Sequence, residues 1–137
     1  MSQPANIWII DDDRSIRWVL ERALTQAGME PRVFENGDNV MMRLEHEEPD
    51  AIISDIRMPG IDGIALLSRV VEDHPDVPVI IMTAHSDLES AVTSYQSGAF
   101  EYLPKPFDVD DAVALVKRAV AHSNERRASA EPSTESP

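Results

Sequence analysis

Five short apolar runs, each followed by a stretch with helical periodicity, constrain this chain more than any other feature. The runs are "IWII" 7–10, "PRVF" 31–34, "AIIS" 51–54, "VPVIIM" 77–82 and "EYL" 101–103. Three of them are dense in Ile and Val with little alternation, as strands covered on both faces are. Between them lie amphipathic patterns. Ile16, Val19, Leu20, Ala23, Leu24 and Ala27 share one helical face, and Gly28 sits where that helix would end. Val40, Met41 and Leu44 give a shorter helix, and Ile64, Leu67, Val70 and Val71 a third that stops before Pro75. "SDLE" at 86–89 reads as a capping box opening a fourth helix that ends near Gly98. Val109, Ala112, Val113, Val116 and Val120 make a fifth apolar stripe. A β-α unit repeated five times predicts an α/β, doubly wound fold, with a five-stranded parallel sheet and five helices on its two faces. In such sheets ligands sit beyond the carboxyl ends of the strands.

The 137 residues are enough for one domain with a real core. Residues 124–137, "NERRASAEPSTESP", lack apolar side chains larger than alanine and read as a flexible tail or linker. The sequence has no cysteine, which excludes a disulfide framework and a thiolate zinc site and fits a reducing compartment. The formal net charge is −13, from 12 basic and 25 acidic residues, and direct nucleic-acid binding needs the opposite balance. No run approaches the roughly 20 apolar residues of a membrane helix, and "MSQPANIWII" has no basic region before its apolar run, so no signal peptide is expected.

The strand ends carry the chemistry. The first strand ends in Asp11, Asp12 and Asp13, the third in Asp55, the fourth in Thr83 and Ala84, and the fifth in "LPKP" with Lys105. Each has a plain reading when taken alone: a helix cap plus solvated acid for "DDD", a turn or cap for Asp55, a turn for Thr83, the surface for Lys105. Together they place carboxylates from two strands at one sheet edge. Such a group repels itself unless something neutralises it, and a hard divalent cation such as Mg²⁺ does so with oxygen ligands. A lysine and a hydroxyl at neighbouring strand ends complete a phosphoryl site, with one carboxylate as the nucleophile. Asp55, on the most central-looking strand, is the candidate. The histidines at 46, 74, 85 and 122 show no ligand spacing and read as surface.

The stretches "IIDDD", "ISDIRMPGIDG", "IIMTAHSD" and "FEYLPKPFD" resemble, in order and spacing, the receiver domain of bacterial two-component response regulators. The resemblance covers about residues 6 to 122 and leaves 123–137 as a tail, the start of an interdomain linker. "SIRWVLERAL", "SDIRMPG", "VIIMTAHSDLESAV" and "GAFEYLPKPFD" resemble one branch, the sigma-54-dependent transcriptional activators of nitrogen regulation. The resemblance implies a flavodoxin-like sheet with strand order 2-1-3-4-5. It also implies roles. Asp55 is the phosphoacceptor. Asp11 and Asp12 hold Mg²⁺ with Asp55 and the backbone carbonyl of Arg57. Thr83 contacts the phosphoryl group, Lys105 bridges to it, and Tyr102 is the aromatic switch residue. A cis bond before the proline that follows the lysine, here Lys105-Pro106, is usual in the family, and X-Pro bonds tolerate it. Asp13 is left either to the acid pocket or to the cap of the first helix.

The resemblance further implies a cytoplasmic signalling module and not an enzyme. Its partners would be a sensor histidine kinase, ATPase and DNA-binding output domains in a longer protein, and a second phosphorylated copy. The readout would be a change in the face built from the fourth helix, fifth strand and fifth helix. One rival comes from another class: a phosphatase of the haloacid dehalogenase type, with an Asp-x-Asp at Asp11 and Asp13 and with Asp11 as nucleophile. A flavodoxin-like cofactor binder would want a hydroxyl- and glycine-rich loop after the first strand, and "DDDR" is its electrostatic opposite.

Overall fold

The computed structural model describes residues 4–57, 61–84, 96 and 98–130. Its elements run β1 (Asn6–Ile10), α1 (Arg14–Gln26), β2 (Glu30–Phe34), α2 (Gly37–Leu44), β3 (Ala51–Asp55), α3 (Gly63–Asp73), β4 (Val79–Ala84), β5 (Glu101–Lys105) and α4 (Val109–Ala130). All strand pairs are parallel, in the order β2-β1-β3-β4-β5. This is the expected five-stranded sheet and order. Four helices are found among the described residues. The predicted fourth helix and its capping box at 86–89 lie outside them, and the predicted fifth helix is α4.

Side-chain alternation along the central strands divides the core in two. Ile7 and Ile9 of β1 face Leu20, Leu24, Ala112 and Val116, so α1 and α4 cover one side. Trp8 and Ile10 face Val40, Leu44, Leu66 and Val70, so α2 and α3 cover the other. A strand buried on both sides needs apolar residues at every position, which is why "IWII" and "AIIS" show no polar alternation. Burying one such Ile or Leu contributes roughly 1.5–3 kcal/mol.

Local chemistry fixes the helix starts. The carboxylate of Asp13 accepts from the backbone N–H of Ser15 at 2.8 Å and of Ile16 at 3.4 Å. Asn36 caps α2 through Asn39 N–H, and Asp62 caps α3 through Ala65 N–H. Gly28 ends α1 at φ +86°, a backbone region that L side chains rarely adopt.

Two elements run further than the sequence patterns suggest. β5 continues through Pro104 to Lys105. Proline cannot donate to a ladder, but β5 is an edge strand, as is β2 with its Pro31. The final helix continues to Ala130, so residues 123–130 are helical where a flexible tail is expected from 123. Ser123 is buried there, and Arg126 reaches Asp76 at 3.4 Å. These contacts tie the extra turns to the base of the domain.

Candidate functional site

The parallel sheet delivers Asp11, Asp55, Thr83 and Lys105 to one edge. Ile10 of β1 pairs with Ser54 of β3, so Asp11 and Asp55 are the next residues along adjacent strands. Asp55 pairs with Met82 of β4, which puts Thr83 one step further on the other side. Lys105 closes β5, paired with Ala84. The peptide bond after it, Lys105-Pro106, is cis.

The side chains of four residues converge. Lys105 Nζ donates to Asp11 Oδ2 at 3.0 Å and lies 3.4 Å from Asp55 Oδ1. Asp11 is fully buried. Its Oδ1 accepts from Asp13 N–H at 2.8 Å. Asp55 is half-buried, and its Oδ1 also accepts from Ile56 N–H at 2.9 Å. Asp12 is exposed, yet one carboxylate oxygen from each of Asp11, Asp12 and Asp55 lies within 4.8 Å of the others.

Electrostatics follow from this crowding. Burial, then the neighbouring charge of Asp11, raises the Asp55 carboxyl above its ordinary value, while Lys105 and the Ile56 N–H pull it down. Burial alone would lower Lys105. The hydrogen bond and charge of Asp11, with those of Asp55, outweigh it and hold the ammonium above its usual range. One lysine is thus shared between two carboxylates and does not fully offset them. Three carboxylates with residual negative charge are a hard-oxygen donor set, which fits a divalent cation that prefers such ligands.

The remaining sequence candidates lie on or just after β3, β4 and β5. Thr83 is buried at the end of β4. Arg57 is exposed, two residues past the end of β3. Tyr102 is half-buried on β5, paired with Ile81. The Asp13 side chain caps α1, and the carboxylates that gather at the sheet edge are those of Asp11, Asp12 and Asp55, which gives the Asp11–Asp13 phosphatase reading no support.

Two supporting residues escape a motif reading. An added Cβ at Gly63 would lie 2.3 Å from the carbonyl oxygen of Asp55 and 2.8 Å from Ile56 Cα. The Gly63 N–H donates to Ile56 O at 2.8 Å, so the turn after Asp55 closes on a bare backbone. The second glycine of "GIDG" is the signal for this. Arg17 donates from Nη1 to the backbone carbonyl of Asp11 at 2.6 Å, and a lone arginine on a helix gives no such signal. A cavity of about 640 Å³ is lined by Asn6, Glu30, Arg32 and Asp50 at the amino ends of the strands, away from this cluster.

The sheet order is that of a doubly wound α/β fold, with an acid cluster facing a lysine at the carboxyl edge of its strands. The sequence matches the response regulator receiver domain family over residues 7–117, and the chain belongs to that family. Among proteins of that family, it is 60% identical over 121 residues to the DNA-binding transcriptional regulator NtrC of Salmonella typhimurium. That match covers 88% of this chain but 26% of the relative, so the chain spans about a quarter of its length. The solution structure of the apo receiver domain of nitrogen regulatory protein C superposes with a TM-score of 0.80 at 60% identity, covering 88% of this chain and 98% of that one. The BeF3-activated form of that receiver domain superposes with a TM-score of 0.76 at the same identity and coverage.

Proposed function

We propose that this chain is the phosphoacceptor domain of a sigma-54-dependent transcriptional activator of nitrogen regulation, and that Asp55 takes the phosphoryl group from a sensor histidine kinase. The observation that carries the reading is the setting of Asp55. Its carboxylate ends the central strand, shares Lys105 with Asp11, and lies within 4.8 Å of both Asp11 and Asp12.

A carboxylate oxygen of Asp55 attacks the phosphorus of the donor phosphoimidazole. The P–N bond breaks, its electron pair stays on the imidazole, and an acyl phosphate forms on Asp55. Lys105 stands 3.4 Å from the attacking carboxylate and follows the added charge. The Thr83 hydroxyl donates to a phosphoryl oxygen, and Tyr102 on β5 repacks with it. Mg²⁺, held by Asp11, Asp12, Asp55 and the Arg57 carbonyl, supplies charge neutralisation when bound. No external substrate is turned over, and the domain is a switch rather than an enzyme.

The switch shifts a pre-existing equilibrium at a face that includes β5 and α4. That face controls ATPase and DNA-binding output domains in a longer cytoplasmic protein, and serves pairing with a second phosphorylated copy. The receiver unit is residues 6–122, and the last turns of α4 lead from it into the linker. Incubation with an autophosphorylated, radiolabelled histidine kinase tests the reading. Label is expected to move to the chain in Mg²⁺ and to stay on the kinase when Asp55→Asn replaces it. Equal labelling of that variant would refute the assignment.

A further inference from the structure

We infer that Arg17 is a positioning residue for the cation site, holding the Asp11–Asp13 segment so that Asp12 can reach the cation. The role presupposes that the acid cluster holds a divalent cation, as proposed above.

Asp12 is the weak point of the cluster. Asp11 is fixed by Lys105 Nζ and Asp13 N–H, and Asp55 by Ile56 N–H and Lys105. The Asp12 side chain is exposed and has no hydrogen bond or ion pair among the described residues. Its carboxylate nevertheless sits within 4.8 Å of the other two. Only the backbone can place it there.

Arg17 fastens that backbone on both sides of Asp12. Its own N–H donates to Asp13 O at 3.1 Å, as the first turn of α1 requires. Its guanidinium reaches back over six residues to Asp11 O at 2.6 Å, a short, charge-assisted bond. The side chain is half-buried. Asp12 is therefore held between two residues that are both bonded to Arg17. Partners that orient the ligands of a metal site change its affinity when lost, commonly by a factor on the order of 10 to 100.

Charge and geometry make opposite predictions here. If Arg17 acted only as a nearby cation, its removal would tighten Mg²⁺ binding. If it positions Asp12, removal weakens it. Arg17→Met keeps much of the apolar stem and removes the donor. Arg17→Lys keeps the charge and an ammonium donor on a shorter stem without the planar fork. Titration calorimetry of Mg²⁺ into the wild-type chain and both variants is expected to show about ten-fold weaker binding for Arg17→Met, with part of the loss restored in Arg17→Lys. Phosphorylation of Arg17→Met by acetyl phosphate, monitored by intact mass, is expected to be slow at low Mg²⁺ and to approach the wild-type rate as Mg²⁺ is raised. A merely structural role would lower the melting temperature without that Mg²⁺-dependent recovery. Unchanged or tighter Mg²⁺ binding by Arg17→Met would overturn the inference while leaving the proposed function standing. A wild-type chain that binds no Mg²⁺ would overturn both.

Discussion

The ammonium of Lys105 lies 3.0 Å from Oδ2 of Asp11, a residue 94 positions earlier in the chain and fully buried. One cation thereby ties the last strand of the sheet to the first, across the strand that carries Asp55. Lys105 is only partly exposed, so water replaces it poorly, and Asp11 has no access to solvent at all. Removing Lys105 leaves a buried carboxylate beside a second one. Lys105→Met is expected to destabilise the fold by about 2 kcal/mol, less than for a fully buried pair. Urea unfolding at neutral pH without divalent cations measures it. A variant as stable as the wild type would show that the pair contributes nothing.

The raised Asp55 carboxyl makes a prediction of opposite sign. The folded state holds this proton more tightly than the unfolded state, where the ordinary value is 3.8. Stability from this group therefore falls as pH rises from that ordinary value through the raised folded one, and the deficit persists at neutral pH. Asp55→Asn removes the cost. In the absence of Mg²⁺ it is expected to melt higher than the wild type at pH 7 and to lose this part of the acid-side pH dependence. Thermal melts from pH 3 to 8 decide the matter, and a lower melting temperature for Asp55→Asn at pH 7 would contradict the assigned cause.

Asp13 separates cap from pocket. It bonds the first turn of α1 while Asp11 and Asp12 supply the cluster. Asp13→Ala should cost about 1 kcal/mol of stability, as loss of a cap does, and leave Mg²⁺ affinity nearly unchanged. Asp12→Ala should do the reverse. Calorimetric titration beside chemical unfolding for both variants would expose an exchange of roles.

Gly63 is a steric prediction. A methyl at this position would meet the Asp55 carbonyl at 2.3 Å, and that atom is backbone and cannot rotate away. Gly63→Ala must move the end of β3 or the start of α3, at a cost of roughly 1–3 kcal/mol. Because the displaced backbone carries the acceptor, phosphorylation should slow more than global stability falls. Comparing labelling rates with unfolding midpoints tests this, and normal labelling would mean that the strand end absorbs the strain.

Much of the fold was legible because doubly buried strands leave a dense apolar signature. "IWII" and "AIIS" mark β1 and β3, and the strand-end rule then leads directly to Asp11, Asp55 and Lys105. What escaped has physical reasons. β5 reads three residues long in sequence because Pro104 discourages a strand, and only its edge position permits the extension to Lys105. The turns after residue 122 look like linker because they lack large apolar side chains; the pair Arg126–Asp76 and the burial of Ser123 dock them instead. Of the histidines read as surface, His46 is exposed, while His74 and His122 are partly buried. His74 Nδ1 lies 2.5 Å from Glu48 Oε2, and the His122 ring sits 5.2 Å from that of Phe100. Nothing in a one-dimensional pattern announces that Arg17 turns back to a carbonyl six residues earlier, because helix periodicity describes faces and not caps.

The most direct measurement of the central claim is intact-mass spectrometry of the chain after incubation with acetyl phosphate. The expected result is a single phosphoryl adduct that requires Mg²⁺ and disappears in Asp55→Asn. An adduct that persists in Asp55→Asn and vanishes in Asp11→Asn would contradict the assignment of Asp55. No adduct in the wild type under any Mg²⁺ concentration would contradict the phosphoacceptor reading itself.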